Sequence, residues 1–411
     1  MINIKIRNIS RLSRPEAFYM APLSEVKKLS GGYDINRFKI YAEKLRRIEI
    51  TPHEHNYIPD NRLSPSYEQD FSCIEKDKYQ KLWDEGRRIL HSNALGAVIL
   101  AGGTSARLGE NKIFTKIHGN KTLLALKIWA TLGRARRQRI DIPLFILTSP
   151  ATKDEVVKIM REEGYKEGKN FMVFDQGMLP ILTEDGEMIQ YQDKILYSTT
   201  GHGSLLSAMQ ISEALKWMKE KGVQYIVQSN VDNPMVILDE NTSNPFLAYL
   251  GLHDENKDVM QITAQVTRKA PTYLGGVPLW YKPERGGNML ALIEKFQINP
   301  EYLKRFNEHL PYFNPLTLIY NLALLEKFDP GILPEVLIKR DDKDSKTKEV
   351  LFSYYKLETM TGSITMFELT TFVPDVIPGV FETGMFAQLK ELTQKKGFVN
   401  QIIHTFPEFF S

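Results

Sequence analysis

The sequence predicts an α/β protein whose mostly parallel sheet is covered by helices. From about residue 90 onward, short apolar runs rich in β-branched residues alternate with longer amphipathic segments. Gly164 and Gly222 stand where two of the amphipathic segments end, which is typical of helix C-termini. Hydrophobic residues make up 42% of the chain and charged residues 25%, as in globular proteins.

The individual elements follow from these patterns in chain order. The run Ala97 to Ala101 has the length and composition of a buried strand, and a helical pattern covers residues 121–132. We then expect a strand over 142–149, a helix over 152–163, a strand over 171–174, a helix over 205–221, and strands over 225–231 and 259–267. Ligands of such sheets bind beyond the carboxyl ends of the strands.

The first part of the chain has a different character. It is charged, has a turn-rich segment between Pro52 and Pro65, and shows no strand–helix alternation. We therefore predict a helical and irregular N-terminal extension over residues 1–75, a main domain over 76–400 and a C-terminal tail over 401–411.

Composition excludes several classes of protein. The one cysteine, Cys73, cannot form an intramolecular disulfide or a cysteine-based zinc cluster, which suits the cytoplasm. No apolar run has the length of a membrane span, and the N-terminus lacks a signal peptide. A net charge of +3 is too small to indicate nucleic acid as a partner. We expect a cytoplasmic protein that binds neither membrane nor nucleic acid, and the sequence indicates no oligomeric state.

A glycine-rich loop follows the predicted strand at residues 97–101. The strand leads into Gly102-Gly103 and then into a polar loop that carries Arg107, Gly109 and Lys112. Glycines let the backbone approach a ligand and turn its N–H groups toward ligand oxygens, and the two cations add positive charge. These features are typical of a loop that binds a nucleoside triphosphate, although neither G-x-x-x-x-G-K-[ST] nor G-x-G-x-x-G is present.

The pattern L-A-G-G-x-x-x-R-[LM]-G-x-x-K resembles the signature loop of sugar-1-phosphate nucleotidyltransferases. Further segments resemble the UDP-sugar pyrophosphorylases, in both their glucose and their hexosamine branches, in consistent order over about residues 80–395. These segments are Phe174 to Pro180, Gly201 to Gly203, Asn230 to Asn233, Leu357 to Gly362 and Phe386 to Lys390. The resemblance implies a Rossmann-like nucleotidyltransferase fold and a uridylyltransferase that forms a UDP-sugar and pyrophosphate from UTP and a sugar 1-phosphate.

The resemblance also implies roles for particular residues. The nucleotide would be bound by Leu100, Ala101, Gly102, Gly103, Gln176, Gly201 and His202, with Gln176 at the uracil edge. Asp232 would bind Mg²⁺, the implied cofactor. The catalytic cations that contact phosphate would be Arg107, Lys112 and Lys390. The sugar phosphate would be bound by Lys269, Gly276, Glu294 and Asn314.

The chemistry of these side chains agrees with such roles. The amide of Gln176 has both a donor and an acceptor, which match the N3–H and O4 of uracil. Asp232 follows a predicted strand and offers the hard oxygen ligand that Mg²⁺ prefers. The sugar phosphate is already an anion at neutral pH, so the reaction needs positioning and charge neutralisation rather than a general base. His202 could bind ribose, base or sugar phosphate.

Three alternatives remain open at this point. The segment from Lys269 to Glu294 resembles the glucose branch and favours glucose 1-phosphate, with N-acetylglucosamine 1-phosphate as the alternative. A glycosyltransferase would need D-x-D, whereas Asp232 is followed by Asn-Pro. A catalytically weak relative that binds UTP or a UDP-sugar is suggested by two departures from the family pattern, Thr104-Ser-Ala106 in the glycine loop and Pro315-Leu-Thr317 after Asn314.

Overall fold

The computed structural model describes residues 4–13, 18–103, 112–114, 116–234, 236, 238, 240, 245–268, 276–306, 310–344, 347–375 and 407–410. Within these residues the helices, numbered in chain order, are α1 Val26–Leu29, α2 Ile35–Arg46, α3 Pro52–Asn56, α4 Lys76–His91, α5 Leu123–Ile128, α6 Arg134–Arg137, α7 Lys153–Glu162, α8 Ser204–Ile211, α9 Ala214–Glu220, α10 Phe246–Asn256, α11 Pro300–Phe306, α12 Leu322–Lys327 and α13 Pro407–Phe410.

The strands are numbered in the same way. They are β1 Ile6–Asn8, β2 Tyr19–Ala21, β3 Leu63–Ser64, β4 Leu95–Leu100, β5 Lys116–His118, β6 Lys121–Thr122, β7 Leu144–Thr148, β8 Phe171–Asp175, β9 Met178–Pro180, β10 Met188–Tyr191, β11 Lys194–Thr199, β12 Tyr225–Asn230, β13 Ile262–Arg268, β14 Val277–Tyr281, β15 Met289–Ile293, β16 Tyr312–Phe313, β17 Leu318–Asn321, β18 Glu335–Lys343, β19 Val350–Thr359 and β20 Thr370–Pro374.

The central sheet has eight strands in the order β16-β13-β17-β12-β4-β7-β8, with β20 beside β13. Strands β12, β4, β7 and β8 are parallel to one another, and β20 is parallel to β13. Strand β17 is antiparallel to both β12 and β13. The sheet is therefore mixed and largely parallel, and the carboxyl ends of β4, β7, β8 and β12 lie at one edge.

The strands at the centre of this sheet are buried on both faces. All six residues of β4 are buried. Ala97 and Ile99 pack into the core that contains α4, α5, α7 and α10, whereas Val98 and Leu100 pack into the core that contains α8, α9 and α12. Because alternate side chains of a strand point to opposite faces, burial on both faces requires the continuous apolar run seen in the sequence.

Helices α4 and α10 pack on one face of the sheet and approach closely at two glycines. A Cβ at Gly86 would lie 1.9 Å from the carbonyl oxygen of Leu247. A Cβ at Gly251 would lie 1.9 Å from the carbonyl oxygen of Leu82. The absence of side chains at these positions allows the two backbones to touch.

The N-terminal residues are integrated into the fold rather than appended to it. Strand β1 pairs with β10, β2 pairs with β11, and β3 pairs with β14. The expectation that this part of the chain is only helical and irregular is therefore wrong, because three short strands join sheets formed by later residues. The domain boundaries at residues 75 and 400 stay a prediction.

The predicted helix over residues 205–221 is two helices. Helix α8 ends at Ile211 and α9 begins at Ala214, because Glu213 has the left-handed backbone conformation, with φ of 58°. A helix cannot continue through such a residue. The predicted helix over residues 121–132 is likewise divided, because Lys121–Thr122 form β6, α5 covers Leu123–Ile128 and a π-helical turn over Trp129–Gly133 joins it to α6. The remaining predicted strands and helices lie within a few residues of their expected bounds.

Among the described residues, no helix combines the length and the apolar composition needed to cross a membrane.

Candidate active site

The predicted nucleotide-binding residues follow parallel strands at the carboxyl edge of the central sheet. Gly102 follows β4, Gln176 follows β8, and Asp232 follows β12. Strand β7, which ends at Thr148, lies between β4 and β8 in the sheet. The parallel register therefore brings together residues that are as much as 130 positions apart in the sequence.

Gly102 and Gln176 touch at this edge. A Cβ at Gly102 would lie 2.0 Å from Nε2 of Gln176 and 2.7 Å from the carbonyl oxygen of Thr148. The N–H of Gln176 donates to that same carbonyl oxygen at 2.8 Å. Gln176 is only 5% exposed. A Cβ at position 102 would displace the amide of Gln176 and would lie too close to the Thr148 backbone, whereas a Cβ at Gly103 would meet no atom within 4 Å.

The loop of Gln176 is joined to the loop of His202. The N–H of Thr200 donates to the carbonyl oxygen of Gly177 at 2.8 Å. Gly177 also packs against the N-terminal part of the chain, since a Cβ there would lie 2.2 Å from the carbonyl oxygen of Ser30. Both candidate binding loops are therefore supported by residues outside the central sheet.

His202 is half-buried and oriented by Thr361. The backbone N–H of Thr361 donates to Nδ1 of His202 at 3.0 Å, and the Thr361 hydroxyl oxygen lies 3.0 Å from the same atom. Gly201 has φ of 84°, and a Cβ there would lie 2.4 Å from the carbonyl oxygen of Thr359. The glycine before His202 is required both by this φ and by the close contact.

Asp232 is buried in a turn at the end of β12. It is 3% exposed. The N–H of Asn233 closes the turn on the carbonyl oxygen of Asn230 at 3.1 Å. The ammonium of Lys127, a fully buried lysine on α5, donates to the carbonyl oxygen of Asn233 at 2.8 Å. Burial lowers the pKa of Lys127 to about 7, and the nearby Asp232 carboxylate opposes this shift.

The donors at this turn fit only one mode of magnesium binding. Within the ranges that the structure describes, no group of three His, Cys, Asp or Glu side chains could hold a metal ion. Mg²⁺ is, however, commonly held by one or two carboxylates, with substrate phosphates and water completing its octahedron. The single carboxylate of Asp232 fits this mode.

Gly276, Glu294 and Asn314, three of the predicted sugar-phosphate residues, lie next to the sheet formed by β3, β14 and β15. A Cβ at Gly276 would lie 3.1 Å from Oε1 of Glu294. Glu294 caps the short turn that follows β15, because its side chain and that of Gln297 bond reciprocally to backbone N–H groups. The side chain of Asn314 is held by hydrogen bonds to the backbone. Its amide donates to the carbonyl oxygens of Gln265 and Thr317, at 2.6 and 3.2 Å.

Several predicted residues cannot be placed. Arg107, Lys269 and Lys390 lie outside the described residues, and only the backbone of Lys112 is described. Their roles stay predictions.

Sequence reasoning missed four residues that shape the site. Thr148 could have been found, since it is the next-to-last residue of the strand predicted over 142–149, at the same edge. Lys127 is a lone charge within the apolar helix Leu123–Ile128, which is a detectable signal. Thr361 lies in a segment already noted for its family resemblance, but nothing there indicated a contact with His202. Nothing in the sequence indicated that Ser30 would lie beside the Gln176 loop.

Comparison with known proteins decides the family. The model of the family described as UTP–glucose-1-phosphate uridylyltransferase matches residues 38–373, which is most of the chain. The chain belongs to that family. Family membership confirms the resemblance seen in the sequence and the assignment of the chain to the nucleotidyltransferases.

Relatives within the family carry both hexosamine and glucose names. UDP-N-acetylglucosamine diphosphorylase 2 of Arabidopsis thaliana is 25% identical over 376 residues, which cover 87% of this chain and 69% of the relative. UTP–glucose-1-phosphate uridylyltransferase 2 of Dictyostelium discoideum is 26% identical over 263 residues, which cover 62% of this chain and 48% of the relative. The chain therefore spans between about half and seven-tenths of the length of these relatives.

Solved structures within the family confirm the predicted fold. A UDP-glucose phosphorylase from Trypanosoma brucei matches with a TM-score of 0.67 at 18% identity, covering 91% of this chain and 79% of that chain. A variant of the Leishmania major UDP-glucose pyrophosphorylase, solved in complex with UDP-glucose, matches with a TM-score of 0.60 at 20% identity. The match covers 86% of this chain and 74% of that chain. The likeness extends over nearly the whole chain and establishes the nucleotidyltransferase-like α/β fold.

Proposed function

We propose that this protein joins UTP to a hexose 1-phosphate, forming a UDP-sugar and pyrophosphate. The proposal is supported by the contact of Gly102 with Gln176 and by the position of Asp232 at the same edge of the sheet, in a chain of the uridylyltransferase family. A phosphate oxygen of the sugar 1-phosphate attacks the α-phosphorus of UTP. The bond from that phosphorus to the bridging oxygen breaks, and pyrophosphate leaves with the electron pair.

The residues at the edge would bind and orient the two substrates. Gln176 would pair with the uracil edge, and the backbone at Gly102 and Gly103 would face the nucleotide. Asp232 would hold Mg²⁺, which when bound would neutralise phosphate charge. Arg107, Lys112 and Lys390 would supply the remaining positive charge around the phosphates, as the family resemblance implies. Two polyanions must meet, so this neutralisation accounts for most of the expected rate enhancement.

Glucose 1-phosphate is the proposed sugar substrate. Support comes from the likeness of the segment between Lys269 and Glu294 to the glucose branch, and from the description of the matching family. N-acetylglucosamine 1-phosphate is the second candidate, because the Arabidopsis relative that spans 87% of this chain has an N-acetylglucosamine name.

A panel of sugar 1-phosphates tests the proposal. UTP and Mg²⁺ would be incubated with each sugar 1-phosphate, and pyrophosphate release would be measured. We expect the highest kcat/KM with glucose 1-phosphate. A higher value with N-acetylglucosamine 1-phosphate would establish the second candidate. Binding of UTP without pyrophosphate release from any sugar would identify a catalytically weak relative and refute the proposed activity.

We expect the enzyme to prefer UTP over CTP because of Gln176. Cytosine has an amino donor where uracil has O4, so a buried amide that pairs with uracil would lose a hydrogen bond. Such a loss costs about 1–3 kcal/mol, or roughly 5- to 150-fold in kcat/KM. The measurement is kcat/KM for both nucleotides, in the original protein and in Gln176→Ala. Equal use of the two nucleotides by the original protein would contradict the assignment.

A further inference from the structure

A buried chain of hydrogen bonds runs from the centre of the sheet to His202. The hydroxyl of Tyr320 on β17 donates to Oε1 of Gln228 on β12 at 2.9 Å. The Gln228 amide donates to the hydroxyl oxygen of Thr361 at 3.1 Å, and that oxygen lies 3.0 Å from Nδ1 of His202. Tyr320, Gln228 and Thr361 are all fully buried, so water does not compete for these bonds.

One bond at the end of this chain fixes the direction of all the others. The backbone N–H of Thr361 donates to Nδ1 of His202, and a backbone N–H cannot accept. Nδ1 therefore accepts and carries no proton. The Thr361 hydroxyl, 3.0 Å from the same atom, can then bond to Nδ1 only as a second donor that shares its one lone pair with the backbone N–H, and the hydroxyl oxygen accepts from the amide of Gln228. The carbonyl oxygen of Gln228 is then left for the Tyr320 hydroxyl.

We propose that Thr361, Gln228 and Tyr320 are positioning residues that hold His202 in the neutral tautomer with its proton on Nε2. In this tautomer Nε2 is a hydrogen-bond donor, so a ligand atom bonded to it would be an acceptor, such as an oxygen of phosphate or ribose. It could not pair with the N3–H of uracil, which leaves that group to Gln176. The identity of the bound oxygen rests on the proposed function, but the tautomer does not.

The backbone around His202 supports the same conclusion. The N–H of Gly203 donates to the carbonyl oxygen of Thr359 at 2.9 Å, and the N–H of Thr359 donates to the carbonyl oxygen of Thr200 at 2.8 Å. The histidine loop is thus bonded to the segment that contains Thr361 both before and after His202 in the sequence. The orientation of the ring is set before a ligand binds, which lowers the entropy cost of binding.

The tautomer can be measured directly in the ligand-free protein. Ring ¹⁵N NMR spectra, assigned with His202→Gln as the variant that lacks the signals, would be recorded at a pH where the ring is neutral. We expect an unprotonated Nδ1 and a protonated Nε2. A proton on Nδ1 would overturn the proposal. Because no ligand is needed, this result stands whether or not the proposed uridylyltransferase activity is found.

A mutant cycle tests whether the chain acts through His202. Thr361→Val keeps the shape of the side chain and the backbone N–H but deletes the hydroxyl. Calorimetric titration with UTP should show affinity lowered about 3- to 10-fold, the effect of about one hydrogen bond. Thr361→Ser retains the hydroxyl and should bind nearly as the original protein does.

In the His202→Gln background, Thr361→Val should cause no further loss of UTP affinity. An equal loss in both backgrounds would show a purely structural role and overturn the proposal. Should Thr361→Val fail to fold, Tyr320→Phe replaces it in the cycle. This variant removes the first donor of the chain and should lower affinity by a smaller factor, again only when His202 is present.

Discussion

Asp232→Ala is expected to lower kcat at saturating Mg²⁺ by roughly 100-fold or more, which corresponds to about 2.7 kcal/mol. Asp232 follows β12 at the same sheet edge as Gly102 and Gln176, and its carboxylate is the proposed ligand of the metal. The hydrogen bonds described for its turn join the backbone of Asn233 to Asn230 and to Lys127. These backbone bonds remain possible in the alanine variant, and circular dichroism measured beside kcat would show whether the inactive protein is folded.

Two variants separate chemistry from folding in this experiment. Asp232→Asn preserves the shape of the side chain and should lose activity to a similar degree, with titration of Mn²⁺ reporting weakened metal binding. Asp141→Asn, which changes an exposed acid just before β7, at the opposite edge of the sheet, should leave kcat unchanged. A folded Asp232→Ala protein with a near-original kcat would remove Asp232 from the proposed metal site.

Gly86→Ala is expected to destabilise the protein by about 2 kcal/mol, the upper end of the cost of overpacking less the gain in helix propensity. The new methyl group would lie 1.9 Å from the Leu247 carbonyl oxygen, and backbone cannot rotate away as a flexible side chain can. Alanine is favoured over glycine within a helix by about 1 kcal/mol. This gain is smaller than the cost of separating α4 from α10, since overpacking typically costs about 1–3 kcal/mol and occasionally more.

Denaturant unfolding would measure the loss, with Gln80→Ala as the matched control. Gln80 is exposed on the same helix, so its replacement should change stability by less than about 0.5 kcal/mol. Gly251→Ala should be destabilised like Gly86→Ala, because a Cβ at Gly251 would meet the Leu82 carbonyl oxygen at the same distance. Stability retained in both glycine variants would contradict the close helix packing.

The central sheet was predictable because its strands carry a strong local signal. Strand β4 is a continuous apolar run, and the glycines after it mark the ligand-binding edge. The parallel arrangement then placed Gln176 and Asp232 at the same edge without any knowledge of their contacts. Local pattern was sufficient here because burial on both faces dictates the composition of each strand.

The N-terminal strands could not be predicted in this way. Strands β1, β2 and β3 have only two or three residues each, too few for a periodic pattern. They are strands because they pair with β10, β11 and β14, which lie far away in the sequence. The partner of Lys127 was hidden for a similar reason, since it is a backbone carbonyl oxygen 106 residues away.

The pairing of β1 with β10 has a consequence for the synthesis of the protein on the ribosome. Ile6 pairs with Met188, so about 180 residues must be made before the first strand has its partner. At about 5–20 residues per second, this takes roughly 10–40 s. The N-terminal segment, including Ser30 beside the Gln176 loop, stays without its native contacts during that time. The Gln176 loop therefore gains its support from Ser30 only after the chain has been made beyond residue 177.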